Sequence, residues 1–263
     1  MDARLLHVSD LHTGTHEEPD LERALGRFVE RIEPQLVVAS GDLAHRGRRE
    51  QLQRAAELLR SLGPPVLAVP GNHDLPYTSA RFLRPWTEFE RIWETTEPTA
   101  SAPGLHVVGL NSARPFRQQG GALSRAQLER AAARLAAAQE GALRVAVLHH
   151  HLIGAPWRAA RKRPVSHRSR VLGALLDAGA DLILAGHIHQ AAVSERNEFE
   201  VVDDEARTAV VAIAPGLGQP RPRRLGEARG LHLHEADGDS IVVRTFRWSR
   251  GDWALSAERR FVR

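Results

Sequence analysis

The 263-residue sequence contains no cysteine. Disulfides and thiolate metal sites are therefore excluded, and any bound metal must be held by nitrogen and oxygen donors. Lysine is almost absent as well. Lys162 is the single lysine among 36 basic residues, the remainder being arginine, and 32 acids are interspersed to leave a net charge of +4. Charge scattered in this way reads as a solvated surface rather than a nucleic-acid face, and an aromatic content of 5% gives little for bases to stack on. No apolar run approaches the roughly 18–20 residues that a membrane span needs. The first residues, MDARLLHVSD, lead straight into a strand-like run without the basic and apolar regions of an export signal. The cytoplasm is the expected compartment.

What is present is a βαβ rhythm of short apolar runs separated by amphipathic stretches. Strands are expected at 4–9, 36–40, 66–71, 105–111, 143–150 and 181–186. Helices are expected at 20–32, 49–63, 124–139 and near 168–178, the third opened by Ser124 as its N-cap. The last eighty or so residues change character: FEVVDD, RTAVVAIAPG, GLHLHEADGD and SIVVRTFRW read as antiparallel strands, with ADGD as a turn. Two proline-containing basic stretches, 157–170 and 219–224, read as loops that would either be solvated or rim an anionic site.

Five of the strand ends carry residues able to bind metal. They are SDLH with Asp10 and His12, SGDL with Asp42, PGNHD with Asn72, His73 and Asp74, LHHH beginning at His149, and GHIH with His187 and His189. Side chains distant in sequence converge at the carboxyl ends of strands in an open α/β sheet, so recurrence at five ends points to one site. Carboxylate, imidazole and amide oxygen without sulfur suit a hard-to-borderline dinuclear centre. Glycines at 41, 71 and 186 leave room for the chain to bend there. His7, His106, His232 and His234 fall inside strand runs and read as structural; His45, shortly after Asp42, reads the same way, with contact to a substrate as the alternative.

The ordered set D-x-H, GD, GNH followed by an acid, H, and GHxH resembles the signature of the calcineurin-like metallophosphoesterases. It covers roughly residues 4–190 and is similar to that of compact bacterial members, including class III cyclic-nucleotide phosphodiesterases. The resemblance implies an α/β fold: one metallophosphoesterase domain over 1–263, a four-layer α-β-β-α sandwich of two mixed sheets flanked by helices. The metal site lies at the strand C-terminal ends, and C-terminal strands from 195–263 complete the second sheet.

The resemblance further implies two divalent metal ions, manganese first, with iron or zinc as alternatives. Asp10, His12 and His189 would hold one ion, Asn72, His149 and His187 the other, and Asp42 would bridge them. His150 is the alternative to His149 within the histidine run. His73 would stand over the substrate phosphate as the catalytic acid, oriented by Asp74, while the metals supply a hydroxide nucleophile. Two divalent ions against two carboxylates leave the site positive, which favours a small anionic phosphoester over neutral substrates. The implied activity is phosphodiester hydrolysis on a cyclic nucleotide or glycerophosphodiester. The alternatives are a phosphomonoesterase or promiscuous phosphatase, a nuclease, and a non-catalytic scaffold like the retromer subunit of the same fold. The nuclease lacks support from an appended capping domain, and the scaffold has lost residues that this sequence keeps. No membrane or nucleic-acid partner is expected.

Overall fold

Alternation along the first strand sets the architecture. In β1 (Ala3–Val8), Leu6 and Val8 pack with helical residues on one side, whereas Ala3 and Leu5 join a second apolar cluster on the other. A strand whose two faces are both buried lies inside a layered fold rather than on its surface. The computed structural model describes residues 3–15, 19–153, 162–199, 207–218 and 228–263.

Among these residues, β1 is followed by α1 (Pro19–Ile32), β2 (Leu36–Ala39), α2 (Arg49–Arg60), β3 (Val66–Ala68), α3 (Ala80–Leu83) and α4 (Thr87–Trp93). The second half runs β4 (Thr99–Ala102), β5 (Leu105–Gly109), α5 (Arg125–Ala136), β6 (Leu143–Val147), α6 (Arg168–Asp177), β7 (Leu182–Ala185), β8 (Ala192–Glu195) and β9 (Val210–Ile213). It ends with β10 (Gly230–Ala236), β11 (Ser240–Ser249) and β12 (Asp252–Val262). One sheet has the order β12-β11-β10-β1-β2-β3 and the other β4-β5-β6-β7-β9-β8.

The layers follow from the apolar clusters. Leu21, Leu25 and Phe28 of α1 and Leu52 and Leu59 of α2 cover the outer face of the first sheet. Leu128 and Leu135 of α5 and Val171 and Leu175 of α6 cover the second. Leu5, Val38, Leu67, Val107, Val145, Leu184 and Ala212 close the space between the sheets. Each such side chain, fully buried, contributes about 1.5–3 kcal/mol of transfer free energy. The fold is thus the expected four-layer sandwich of two mixed sheets. Ser124 caps α5 by accepting the Gln127 N–H while Gln127 reaches back to the Ser124 N–H, a capping box.

The C-terminal strands require a correction. β9 belongs to the second sheet, pairing parallel with β7 and antiparallel with β8. β10, β11 and β12 instead extend the first sheet, because β10 pairs antiparallel with β1 from Ala3↔Ala236 to His7↔His232. The expected strand in FEVVDD, apart from Phe199, and the basic stretch 219–224 lie outside the described residues, as do 157–161 of the other basic stretch. Among the described residues, no helix is long and apolar enough to cross a membrane.

Candidate metal centre

β1, β2 and β3 run parallel to one another in the first sheet, as β6 and β7 do in the second, so within each sheet their carboxyl ends open on one side. There the two sheets touch directly. His149, just past β6, donates from Nδ1 to the Ser40 carbonyl after β2 at 2.8 Å, and the His187 N–H after β7 donates to Asp10 Oδ2 at 2.9 Å. Backbone bonds from Asp10 N to Gly41 O and from His12 N to Asp42 O, both 2.9 Å, tie the first two turns together.

The backbone is strained at this seam. Asp10, His12, Asp42, His187 and His189 all have φ between 49° and 73°, a region that non-glycine residues occupy rarely and at a cost of order 1–3 kcal/mol each. Strain repeated at five residues in three converging turns marks a site held in place by its surroundings. Glycine is required beside it at two points: a Cβ on Gly71 would strike Asp42, and one on Gly186 would strike Ser9 and Asp10.

The side chains form two groups that share one carboxylate. In the first, His189 Nε2 lies 3.0 Å from Asp10 Oδ1 and 3.3 Å from His12 Nε2, and His12 Nε2 lies 3.7 Å from both Asp10 Oδ1 and Asp42 Oδ2. In the second, His149 Nε2 lies 3.3 Å from Asp42 Oδ2 and 3.2 Å from His187 Nδ1. Asp42 is common to both sets of converging donor atoms. Asp10 Oδ1, Asp42 Oδ2 and Asn72 Oδ1 are all buried without an aligned hydrogen-bond donor. Buried polar oxygens left in that state are costly, and two divalent cations sharing Asp42 would satisfy them, so the donor set fits the metals that the motif implies. The outer nitrogens fit as well: His149 donates from Nδ1 to Ser40 O, and His187 from Nε2 to Gln119 O at 3.1 Å, leaving the inward nitrogen of each ring with its lone pair when neutral.

The electrostatics favour a cation. Burial works to raise the carboxyl of Asp10, but His189 and His12 outweigh it and hold it well below the usual range; burial opposes His149 and His73 in the same way at Asp42. Burial also works against a proton on His149, yet the Asp42 carboxylate beside it carries its pKa up to about 9. His12 is pushed down to about 4 by burial, with the two aspartates opposing.

His149 rather than His150 enters the cluster. His150 turns away, its Nδ1 2.9 Å from the Ser112 hydroxyl. His73 lies at the mouth, its ring 4.8 Å from that of His12. The expected role of Asp74 needs correcting. Its carboxylate accepts the N–H groups of Ala44 and Gly71, both at 2.7 Å, and so pins the turns after β2 and β3 rather than His73. Burial first, then the Asp42 charge, raise its pKa to about 7. His73 is oriented by other groups: Nδ1 donates to the His45 carbonyl at 2.8 Å, the Tyr77 hydroxyl is 3.1 Å from the same nitrogen, and the His45 and His73 rings stack. Tyr77, the only tyrosine, was not singled out from sequence, because the segment after His73 is non-helical and a four-residue spacing there implies no contact. Lys162 was also missed; it donates to the His187 carbonyl at 2.7 Å and brings the single lysine against the rear of the site.

The profile of the calcineurin-like phosphoesterase family matches residues 3–191. The 3′,5′-cyclic adenosine monophosphate phosphodiesterase CpdA of Haemophilus influenzae is 27% identical over 218 residues, 76% of this chain and 74% of that protein. The glycerophosphodiester phosphodiesterase GpdQ of Enterobacter lignolyticus is 34% identical over 93 residues, 31% of this chain and 33% of that protein. Among solved structures, the purple acid phosphatase PPD1 of yellow lupin superposes with a TM-score of 0.71 at 12% identity, covering 99% of this chain and 53% of the lupin chain. At that identity the likeness is one of fold, and this chain spans about half of the lupin enzyme.

Proposed function

Because this chain belongs to the calcineurin-like phosphoesterase family, and is thereby a metal-dependent phosphoric ester hydrolase, we propose that it hydrolyses a small phosphodiester of the cyclic-nucleotide or glycerophosphodiester type at a dinuclear centre. The observation that carries the dinuclear reading is Asp42, the one carboxylate common to the Asp10–His12–His189 group and the His149–His187 group. The substrate class is supported by similarity to CpdA, which extends over about three quarters of both chains.

In this reading Asp10, His12 and His189 hold one ion, and Asn72, His149 and His187 the other. Divalent ions bound there supply Lewis acidity toward the phosphoryl oxygens and a water made nucleophilic at neutral pH. The chain's own residues do the rest. The His73 Nδ1–H bond to the His45 carbonyl leaves Nε2 as the nitrogen that can carry a proton to the leaving oxygen. The His73 N–H donates to Asp42 Oδ1 at 2.8 Å, so the residue that offers the acid is anchored to the carboxylate shared by both groups. Asp74 acts as a positioning residue through the backbone of Gly71 and Ala44.

The test is hydrolysis by manganese-loaded protein of cyclic nucleotides, glycerophosphodiesters and simple monoesters. Diester turnover well above monoester turnover is expected, and the reverse order would replace the diesterase reading with a monoesterase.

Metal loading should also release a proton. In the metal-free cage His149 holds one below a pKa of about 9, and a metal needs that nitrogen's lone pair. Apparent affinity should therefore fall by up to about tenfold per pH unit as pH drops below about 9. Calorimetric titration near neutral pH in buffers of different ionisation heat measures the released proton directly, and heats independent of buffer would contradict the assignment of His149.

A further inference from the structure

A second group of histidines lies one layer beneath the metal centre, and the proposed reaction leaves it unused. His7 on β1 faces His232 across the β1–β10 ladder, and His234 is opposite Leu5, two residues away on the same face. All three point into the space between the sheets, on the side of Leu5, Ala236 and Val243, and are at most 1% exposed. Interiors of this kind tolerate histidine when its ring nitrogens are bonded. His106 shows the ordinary solution, with Nδ1 2.8 Å from the Ser101 hydroxyl and Nε2 2.8 Å from the Arg134 carbonyl. The triad is built otherwise. Both ring nitrogens of His232, both of His234 and Nδ1 of His7 are buried with no hydrogen-bond partner.

These nitrogens converge. One from each ring lies within 4.8 Å of those of the other two. The ring centroids form a nearly equilateral triangle with sides of 6.0, 5.7 and 5.7 Å. Its centre is about 3.4 Å from each centroid, close to the sum of a zinc–nitrogen bond of about 2.0–2.1 Å and an imidazole radius of about 1.2 Å. His7 also has the outer bond expected of a ligand: its Nε2 is 2.8 Å from the Ser40 hydroxyl, which leaves Nδ1 as the inward nitrogen.

We propose that His7, His232 and His234 form a third, mononuclear metal site in the inter-sheet core, binding a borderline transition-metal ion of which zinc is the first candidate. Three imidazoles without a carboxylate select zinc, copper or nickel over manganese, magnesium or calcium, so this site and the carboxylate-containing cage prefer different ions. Burial keeps the rings neutral, and that of His232 is lowered to about 3, so the donors need no deprotonation at working pH. Asp10, three residues after His7 and just past the end of β1, is the carboxylate whose field reaches the triad. The site joins β1 to β10, and a cation there would staple the C-terminal strands to the strand that leads into Asp10.

Burial makes the test selective. The ion in the triad should exchange slowly, whereas His189 in the cage is 20% exposed and open to chelators. Protein produced with zinc, treated with EDTA under native conditions and analysed for metal should retain one equivalent per chain. The same equivalent should persist in Asp42→Asn/His149→Ala protein, where the cage is broken, so the outcome does not depend on the dinuclear reading. Changing His232→Leu and His234→Leu together should remove it. X-ray absorption of zinc in the cage-broken protein gives a second measurement that needs no change in the triad; a first shell of imidazole nitrogens is expected. Retention of no metal after EDTA, together with refolding of the cage-broken protein in zinc without uptake of an EDTA-resistant equivalent, would overturn the proposal, as would an oxygen-rich shell around the retained ion.

Discussion

Asp42→Asn is expected to reduce diester hydrolysis by about a thousandfold or more, well beyond the 10–100-fold that loss of an outer-shell partner costs. The substitution keeps the shape and removes the charge. Oδ2 of Asp42 lies 3.3 Å from His149 Nε2 and 3.7 Å from His12 Nε2, so it is the single atom placed for both groups, and a neutral amide there is a much weaker bridge between two cations. Oδ1 accepts the His73 N–H, a bond that an amide oxygen can preserve, so the turn after β3 should survive. Stability should fall in both states. The metal-free variant loses the buried anion that pairs with protonated His149, and although its loss also relieves the repulsion on Asp74, it should melt lower than the parent near neutral pH. The metal-loaded variant should lose the melting increment that cation binding gives the parent. Metal analysis, turnover and melting with and without manganese measure all three effects. Full activity with manganese would refute the shared carboxylate.

The site was more legible than the scaffold around it, and the reason is local. A ligand set at strand ends is written in short, contiguous words such as SDLH, GNHD and GHIH, each fixed by its own strand. Strand partnership is set at long range. GLHLHEA reads as a strand whatever its neighbour, and only the fold shows that it pairs with β1. β12 escaped detection because most of its side chains are exposed, as suits a polar sheet edge, and Trp253 and Phe261 are its buried anchors. α3 and α4 were missed because they are short, with four and seven residues, and carry little periodicity. The correction to Asp74 has the same origin: the resemblance implied that the acid orients the histidine, and the short motif does not show what its carboxylate bonds. In the fold the carboxylate instead meets the backbone of Ala44, thirty residues earlier in the chain. His7, His232 and His234 each looked like isolated core histidines, and their convergence is a product of the β1–β10 register.

His73→Ala should separate chemistry from metal binding. His73 is absent from the two groups that share Asp42, and its side chain reaches the site through the His12 ring at 4.8 Å, so both ions should remain at parental occupancy. Loss of a general acid costs about 10²–10⁴ in rate. The loss should depend on the leaving group. An alkoxide leaves poorly without a proton and should show the full effect, whereas a nitrophenolate, stable as an anion, should show much less. Structural damage would slow both substrates equally. The backbone N–H of His73, which carries the bond to Asp42, is untouched by the change, so the cage should keep its form. The measurement is kcat for alkyl and nitrophenyl diesters of the same phosphate, together with metal content. Equal losses on the two substrates would remove His73 from the role of acid, and depletion of metal would make it a ligand. The expected result, a steep dependence on leaving group with both metals retained, follows from Nδ1 being committed to the His45 carbonyl, which leaves Nε2 as the ring nitrogen to face the leaving oxygen.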